Sequence, residues 1–214
     1  MHEFYPDFDI VVIDSDSDNF DMFKNIPNYV TVHFAKNKNF ELGAWYYAFG
    51  IYDKYDIYMF LQDTTTPRIP IKLEHNKIID YDYFYSFHWY ERLNDVQIRD
   101  QEKSQYFLNL KNVYKDTGLQ MLSDLDGTEV ISAAGHNCFI ANSKITAKIL
   151  ELENPYIDKK FGKTKVDSWL SERTIGIIAS MYSRRIINLG DYFTKKHLAR
   201  DYIPESLIYH TWLN

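Results

Sequence analysis

Four short segments place reactive side chains where chemistry could use them. In LQDTTTP, Asp63 follows an apolar run and precedes three threonines. One carboxylate beside hydroxyls is a hard oxygen site for Mn2+ or Mg2+, with diphosphate oxygens and water as the remaining ligands. The bland reading of Asp63 is a turn or cap residue at a strand end. In VVIDSDSD, Asp14, Asp16 and Asp18 close another apolar run. Three readings stand there: a capping loop, contact of Asp14 or Ser15 with a nucleotide, or the paired carboxylates that supply a nucleophile and a magnesium site for phosphoryl transfer. In AAGHNCFIANSKI, Gly135 either makes a plain hairpin turn or lets the backbone approach a bound sugar closely. His136 beside it either faces that cleft or has a structural role. In SWLSERTIGII, the pattern puts Glu172 in the first turn of a helix, where the helix dipole alone is reason enough for an acid. His210, in LIYHTWLN, carries no signal by itself.

The elements that must position these residues can be read from hydrophobic period. Asp9 to Ile13 and Ile57 to Leu61 are short apolar runs bounded by polar residues, and Tyr29 to Phe34 alternates, so all three read as strands. Between the last two lies a helix that shows Leu42, Trp45, Tyr46 and Phe49 on one face. Pro67 and Pro70 interrupt any regular element, and Ile71 to Phe87 is aromatic and strand-like. Asn94 to Lys115 lacks Gly and Pro and reads as an exposed helix. Val130 to Ala141 reads as strand, glycine turn, strand, and Ser143 caps a helix running to Leu152. A Lys-rich loop, Asp158 to Lys165, leads to a helix from about Ser168 to Tyr182 that buries Leu170, Ile177, Ile178 and Met181. Ile186 to Leu189 is the last strand. Alternating strands and helices predict an α/β fold: one domain, with a mixed, mostly parallel central sheet flanked by helices.

Composition narrows the class. The chain has 214 residues, 45% hydrophobic and 25% charged, which suits one globular domain with a sizeable core. Net charge is −6 and the lysines are dispersed, so no broad phosphate-tracking surface for nucleic acid is expected. No apolar stretch approaches the about 20 residues of a membrane span, and MHEFYPDFD has no basic or apolar leader pattern. The expected location is cytoplasmic. The single cysteine, Cys138, cannot form an internal disulfide and rules out a thiolate zinc site. The surplus of Tyr and Phe is read as compositional bias.

Taken in order, these segments resemble a GT-A-fold, fringe-like nucleotide-sugar glycosyltransferase over most of the chain. VVIDSDSDNF, NFELGAWYYAFG and YMFLQD are similar to the nucleotide-binding half of that family, with its strand-end Asp, its Gly/Ala-containing helix and its DxD strand. AAGHNCFIANSKI resembles the acceptor segment, SERTIGII the acidic-pair segment before a helix, and LIYH the segment ending in a metal-binding His. The resemblance implies a nucleotide-binding half over residues 1–66 and an acceptor and catalytic half over 67–214. It implies that Ile13, Asp14, Ser15, Phe40, Gly43, Ala44, Asp63, Gly135 and His136 contact a UDP-sugar such as UDP-glucose. Asp63 and His210 would hold Mn2+ or Mg2+, and Glu172 would be catalytic. The implied reaction moves a hexose to a glycan hydroxyl. LQDTTTP has one Asp where DxD has two, and SER has a single Glu for the acidic pair. Two alternatives stand beside this reading. One is a silent domain that only binds a glycan or nucleotide sugar. The other is a haloacid-dehalogenase-type phosphatase, although DSDS lacks that family's Thr or Val and NLGDYFTKK lacks its closing acidic pair. The Tyr- and Asn-rich character is similar to capsid-glycosylating transferase domains of large DNA viruses, acting in the host cytoplasm. The end of the chain four residues past His210 fits a domain of a longer multidomain polypeptide.

Overall fold

The computed structural model describes residues 1–18, 20–37, 40–71, 75–80, 82–92, 108, 111–112, 114–116, 118–120, 130–158 and 165–195. Strand β1 (Ile10–Asp14) pairs in parallel with β2 (Val30–Phe34). Helix α1 (Phe40–Ile51) then crosses to β3 (Ile57–Phe60). A short β4 (Thr65–Pro67), a six-residue α2 (His75–Asp80) and a ten-residue β5 (Tyr83–Arg92) follow. After β6 (Val130–Asn142) come α3 (Ser143–Asp158), α4 (Lys165–Tyr182), β7 (Arg185–Asn188) and β8 (Phe193–Lys195).

The fold is α/β with a mixed sheet flanked by helices, but the expected mostly parallel pairing is corrected. The four-stranded sheet has the order β3-β6-β5-β7, and only β5 with β7 is parallel. Strand β6 lies between β3 and β5 and opposes both. One reversed strand in the middle therefore turns two of the three ladders antiparallel, while β3, β5 and β7 keep a common direction. The pair β1-β2 and the antiparallel ribbon β4-β8 form separate small sheets.

Both faces of the four-stranded sheet are covered, because side chains alternate along each strand. Phe84 and Phe139 pack with Leu42, Trp45, Ile149, Leu170 and Ile178 in one cluster. Their neighbours Tyr85 and Ile140 pack with Ile78, Leu189 and Phe193 in the other. Burial on both sides explains why Cys138 to Ala141 of β6 are apolar at consecutive positions.

Several local expectations change. Val130 to Ala141 is one strand with an insertion: Ser86 pairs with Phe139 but Phe87 pairs with Gly135, which leaves residues 136 to 138 looped out opposite nothing. His136 and Asn137 take left-handed φ values of 56° and 53° there. Ile71 to Phe87 is not one strand, because α2 buries Ile78 completely before β5 begins. Asn142, not Ser143, caps α3, its side-chain oxygen accepting the Ile145 N–H at 2.8 Å. Tyr46 and Met181 are 42% and 47% exposed, so neither belongs to its helix's buried stripe. Most of Asn94 to Lys115, and the Lys-rich loop beyond its ends, lie outside the described residues. Tyr114, within the first of these, is fully buried.

Candidate functional site

β1 and β3 belong to separate sheets but border one cavity. At their starts, the Tyr55 hydroxyl donates to Asp9, a bond that holds the phenol above its ordinary pKa. Between their edges is a cavity of about 620 Å3, lined by Ile10 to Ile13 on one side and Ile57 to Leu61 on the other. Ala44 and Trp45 of α1 line it too, and Gln62, Asp63 and Thr65 border it beyond the end of β3. The lining runs from Asp9, Tyr55 and Asp56 at the strand starts to Gln62 and Asp63 past the end of β3, and ligands of open α/β sheets bind outside the carboxyl ends of strands.

All the sequence-predicted residues but His210 can be placed on this frame. Ile13 lines the cavity and packs against the core. Asp14 ends β1, and its carboxylate accepts both the Ser17 N–H at 3.0 Å and the Ser17 hydroxyl at 2.5 Å, as a turn cap does. The Ser15 carbonyl accepts the Asn37 N–H at 2.8 Å, extending the β1-β2 ladder past the strands. Phe40 opens α1, and Gly43 and Ala44 are buried in its first turns. Asp63 is exposed on the turn after β3. His210 lies outside the described residues. Among the described residues no three His, Cys, Asp or Glu side chains gather as a metal site. Asp63 offers an exposed carboxylate on this rim, beside Gln62 and Thr65.

The looped-out segment 136–138 adjoins that rim. The Gln62 N–H lies 3.4 Å from Cys138 Sγ, and the Thr65 hydroxyl lies 3.8 Å from it. The loop is braced from below by α4. Glu172 Oε1 accepts the His136 N–H at 3.0 Å, and the Ser171 hydroxyl donates to Asn137 Oδ1 at 2.8 Å. Glu172 Oε2 pairs with Arg173 at 3.0 Å, both residues being nearly fully buried. The Arg173 guanidinium sits 5.6 Å from the Trp89 ring centroid, where cation–π attraction helps offset its burial. The Trp89 ring in turn rests on Gly135: a Cβ there would lie 2.3 Å from Trp89 Cζ3 and 2.6 Å from the Phe87 carbonyl oxygen. The close approach that Gly135 permits is thus occupied by Trp89. Glu172 itself stands in the interior of α4, which starts at Lys165, so the expected first-turn placement and its helix-dipole account are corrected.

Sequence reasoning missed Glu41, in the first turn of α1. Its Oε1 accepts a hydrogen bond from the Gln62 side chain, while its Oε2 is buried with no partner among the described residues. The signal was there: an acid at the first turn of the helix that follows β2.

No protein-family model matches this chain, and neither any curated protein nor any solved structure shows significant similarity to it.

Proposed function

We propose that the chain is a GT-A-fold glycosyltransferase that transfers a hexose from a UDP-sugar, such as UDP-glucose, to a hydroxyl of a glycan, in the setting of viral capsid glycoprotein modification. The observation that carries this reading is the shared cavity: Ile13 from β1, Ala44 from α1 and Asp63 after β3, three residues assigned to the nucleotide sugar from the sequence, line one space. Its volume lies within the several hundred Å3 typical of small-molecule sites.

In this reading Asp63, with His210, would hold Mn2+ or Mg2+, and the ion would neutralise the diphosphate leaving group. Gly135 and His136 would shape the acceptor side of the rim. Glu172 would serve as the carboxylate of the reaction in one of two ways. As a proton acceptor from the acceptor hydroxyl, it would have to leave its pair with Arg173. As a fixed negative charge, it would stabilise a cationic sugar against the opposing charge of Arg173 3.0 Å away.

A silent nucleotide-sugar-binding domain is the second reading, favoured by the engagement of both Glu172 oxygens. A thermal-shift series with UDP, ADP, GDP and UDP-hexoses, with and without Mn2+, tests the first step, since a ligand selective for the folded chain raises Tm. Uridine nucleotides with Mn2+ are expected to raise it most, and equal responses to all nucleotides would remove the reading. Donor hydrolysis then separates an enzyme from a silent domain.

A further inference from the structure

The cavity between β1 and β3 carries its charge at its two ends. Its described lining includes four aspartates, Asp63 past β3 and Asp7, Asp9 and Asp56 at the strand starts, and no Lys, Arg or His. The body between them is apolar, walled by Ile10 to Ile13 and Ile57 to Leu61. At the strand-start end the carboxylates meet aromatic rings. Tyr52, Tyr55 and Tyr58 all line it, and the Tyr55 ring centroid lies 6.1 Å from that of Tyr52 and 6.4 Å from that of Tyr58. The Tyr55 hydroxyl donates to Asp9, which fixes that carboxylate beside the rings. Burial raises the pKa of the Tyr58 phenol, and the charges of Asp53 and Asp56 add to the rise, so negative potential reaches the cavity wall. An ammonium already rests on this surface: Lys54 Nζ sits 5.6 Å from the Tyr55 ring centroid.

We propose that this end of the cavity binds an organic ammonium ion whose apolar chain runs along the slot between the strands. The proposal is independent of the nucleotide reading, which concerns the Asp63 end. An apolar body with a negative mouth is complementary to a molecule that is apolar with one positive end. An anion would be repelled there by three carboxylates. A bare metal ion would call for a close set of oxygen or nitrogen ligands, and no such group of three forms among the described residues. An ammonium group instead donates hydrogen bonds to carboxylates and is attracted to phenol faces within about 6 Å. The slot has room for the chain, since the four residues of β3 alone span about 13 Å. Each exposed carboxylate should contribute up to about fivefold in affinity, and the rings about two- to fivefold.

The test titrates octylammonium, octanol and octanoate, together with butyl- and hexylammonium, into the full chain by calorimetry. Octylammonium should bind about 10- to 100-fold more tightly than octanol, with octanoate weakest. From butyl- to octylammonium, affinity should rise by up to about fourfold per methylene. Asp9→Asn combined with Asp56→Asn should cut the preference for the ammonium to within about threefold and leave octanol affinity unchanged. If losing the Tyr55 bond disturbs the slot, seen as altered octanol binding, Asp7→Asn combined with Asp56→Asn repeats the comparison. Asp21→Asn combined with Glu151→Gln removes two exposed charges that do not line the cavity, and it should leave the preference intact. Equal affinity for ammonium and alcohol would overturn the proposal, as would the absence of ammonium binding. So would a preference that survives both Asn pairs, or one lost equally in the Asp21 and Glu151 control, which would make it an effect of net charge. No arm contains a nucleotide, so these outcomes leave the nucleotide reading to its own test.

Discussion

The His136 backbone N–H points at Glu172 Oε1 from 3.0 Å, across a gap of 36 positions in sequence. This contact ties the centre of α4 to the looped-out segment of β6, where two consecutive non-glycine residues hold left-handed backbone. Each such residue costs of order 1 kcal/mol and persists only where its surroundings enforce it. Glu172 and Ser171, one turn-step apart on α4, supply that enforcement. The same carboxylate thus has a structural duty and a proposed chemical one, and experiments can separate the two.

Glu172→Gln should still accept the His136 N–H but remove the charge that pairs with the buried Arg173 at 3.0 Å, costing up to about 3–5 kcal/mol of stability. Glu172→Gln combined with Arg173→Met removes both charges of that pair and should recover much of that loss in urea denaturation. If Glu172 is catalytic, donor turnover stays about 100- to 10,000-fold down in both variants. Recovery of turnover together with stability would make Glu172 a brace alone.

Gly135→Ala should be strongly destabilising, because the new methyl meets both the Trp89 ring and the Phe87 carbonyl oxygen at under 3 Å. Shrinking Trp89 relieves only the first contact, so Gly135→Ala with Trp89→Leu should not restore wild-type stability. Gly50→Ala is the control: a Cβ there meets nothing within 4 Å, and it lies inside α1. It should stabilise by up to about 1 kcal/mol through helix propensity. Denaturant midpoints of the three variants check both expectations.

How much of this was legible beforehand varies by element. The strands β1, β2 and β3 follow from apolar runs and alternation, with boundaries that agree with the sequence reading to within about one residue, and helix α1 lies where the reading puts a helix. The β6 segment was misread because Gly135 looks like a turn signal, whereas both flanking halves pair with the same distant strand. Such a long-range ladder leaves no local trace. The reversed direction of β6 was hidden for the same reason, since period-2 patterning is identical in parallel and antiparallel strands. Tyr46 and Met181 were assigned to buried stripes by hydrophobicity, but a phenol at the edge of a stripe and a thioether in a last turn both tolerate water. At the rim, Asp14 and Asp63 stood out as strand-end acids. The Glu172–Arg173–Trp89 stack did not, because only the fold brings Arg173 of α4 over Trp89 of β5.

His88 sets an expected acid limb. Burial pushes its pKa below the ordinary value of 6.5, with the Ser86 backbone and the charge of Asp191 opposing that shift. The unfolded chain then binds a proton that the folded chain refuses. This contribution to stability is fully present above about pH 6.5 and is lost as pH falls from there toward the lowered folded value. Tm measured from pH 7.5 to 5 should decline with falling pH, and His88→Gln should flatten that slope whatever its effect on Tm at pH 7.5. An unchanged slope in the variant would assign the acid limb to other groups.

The proposed cation site makes the sharpest demand, because its two protein ligands come from segments far apart in sequence. Asp63→Ala and His210→Ala should each weaken Mn2+ binding to the UDP-loaded chain. If both reach one ion, losing either releases most of its hold, so the double variant should be little worse than the poorer single one. Two independent roles would instead give losses that multiply in Kd. The measurement is a Mn2+ titration of wild type, both single variants and the double variant at saturating UDP. Asp63 is exposed and accepts no hydrogen bond that β3 or β4 needs for pairing, so its removal should leave Tm without ligand nearly unchanged. Unchanged Mn2+ affinity in His210→Ala would remove His210 from the site and leave Asp63 with the diphosphate as the cation's anchor.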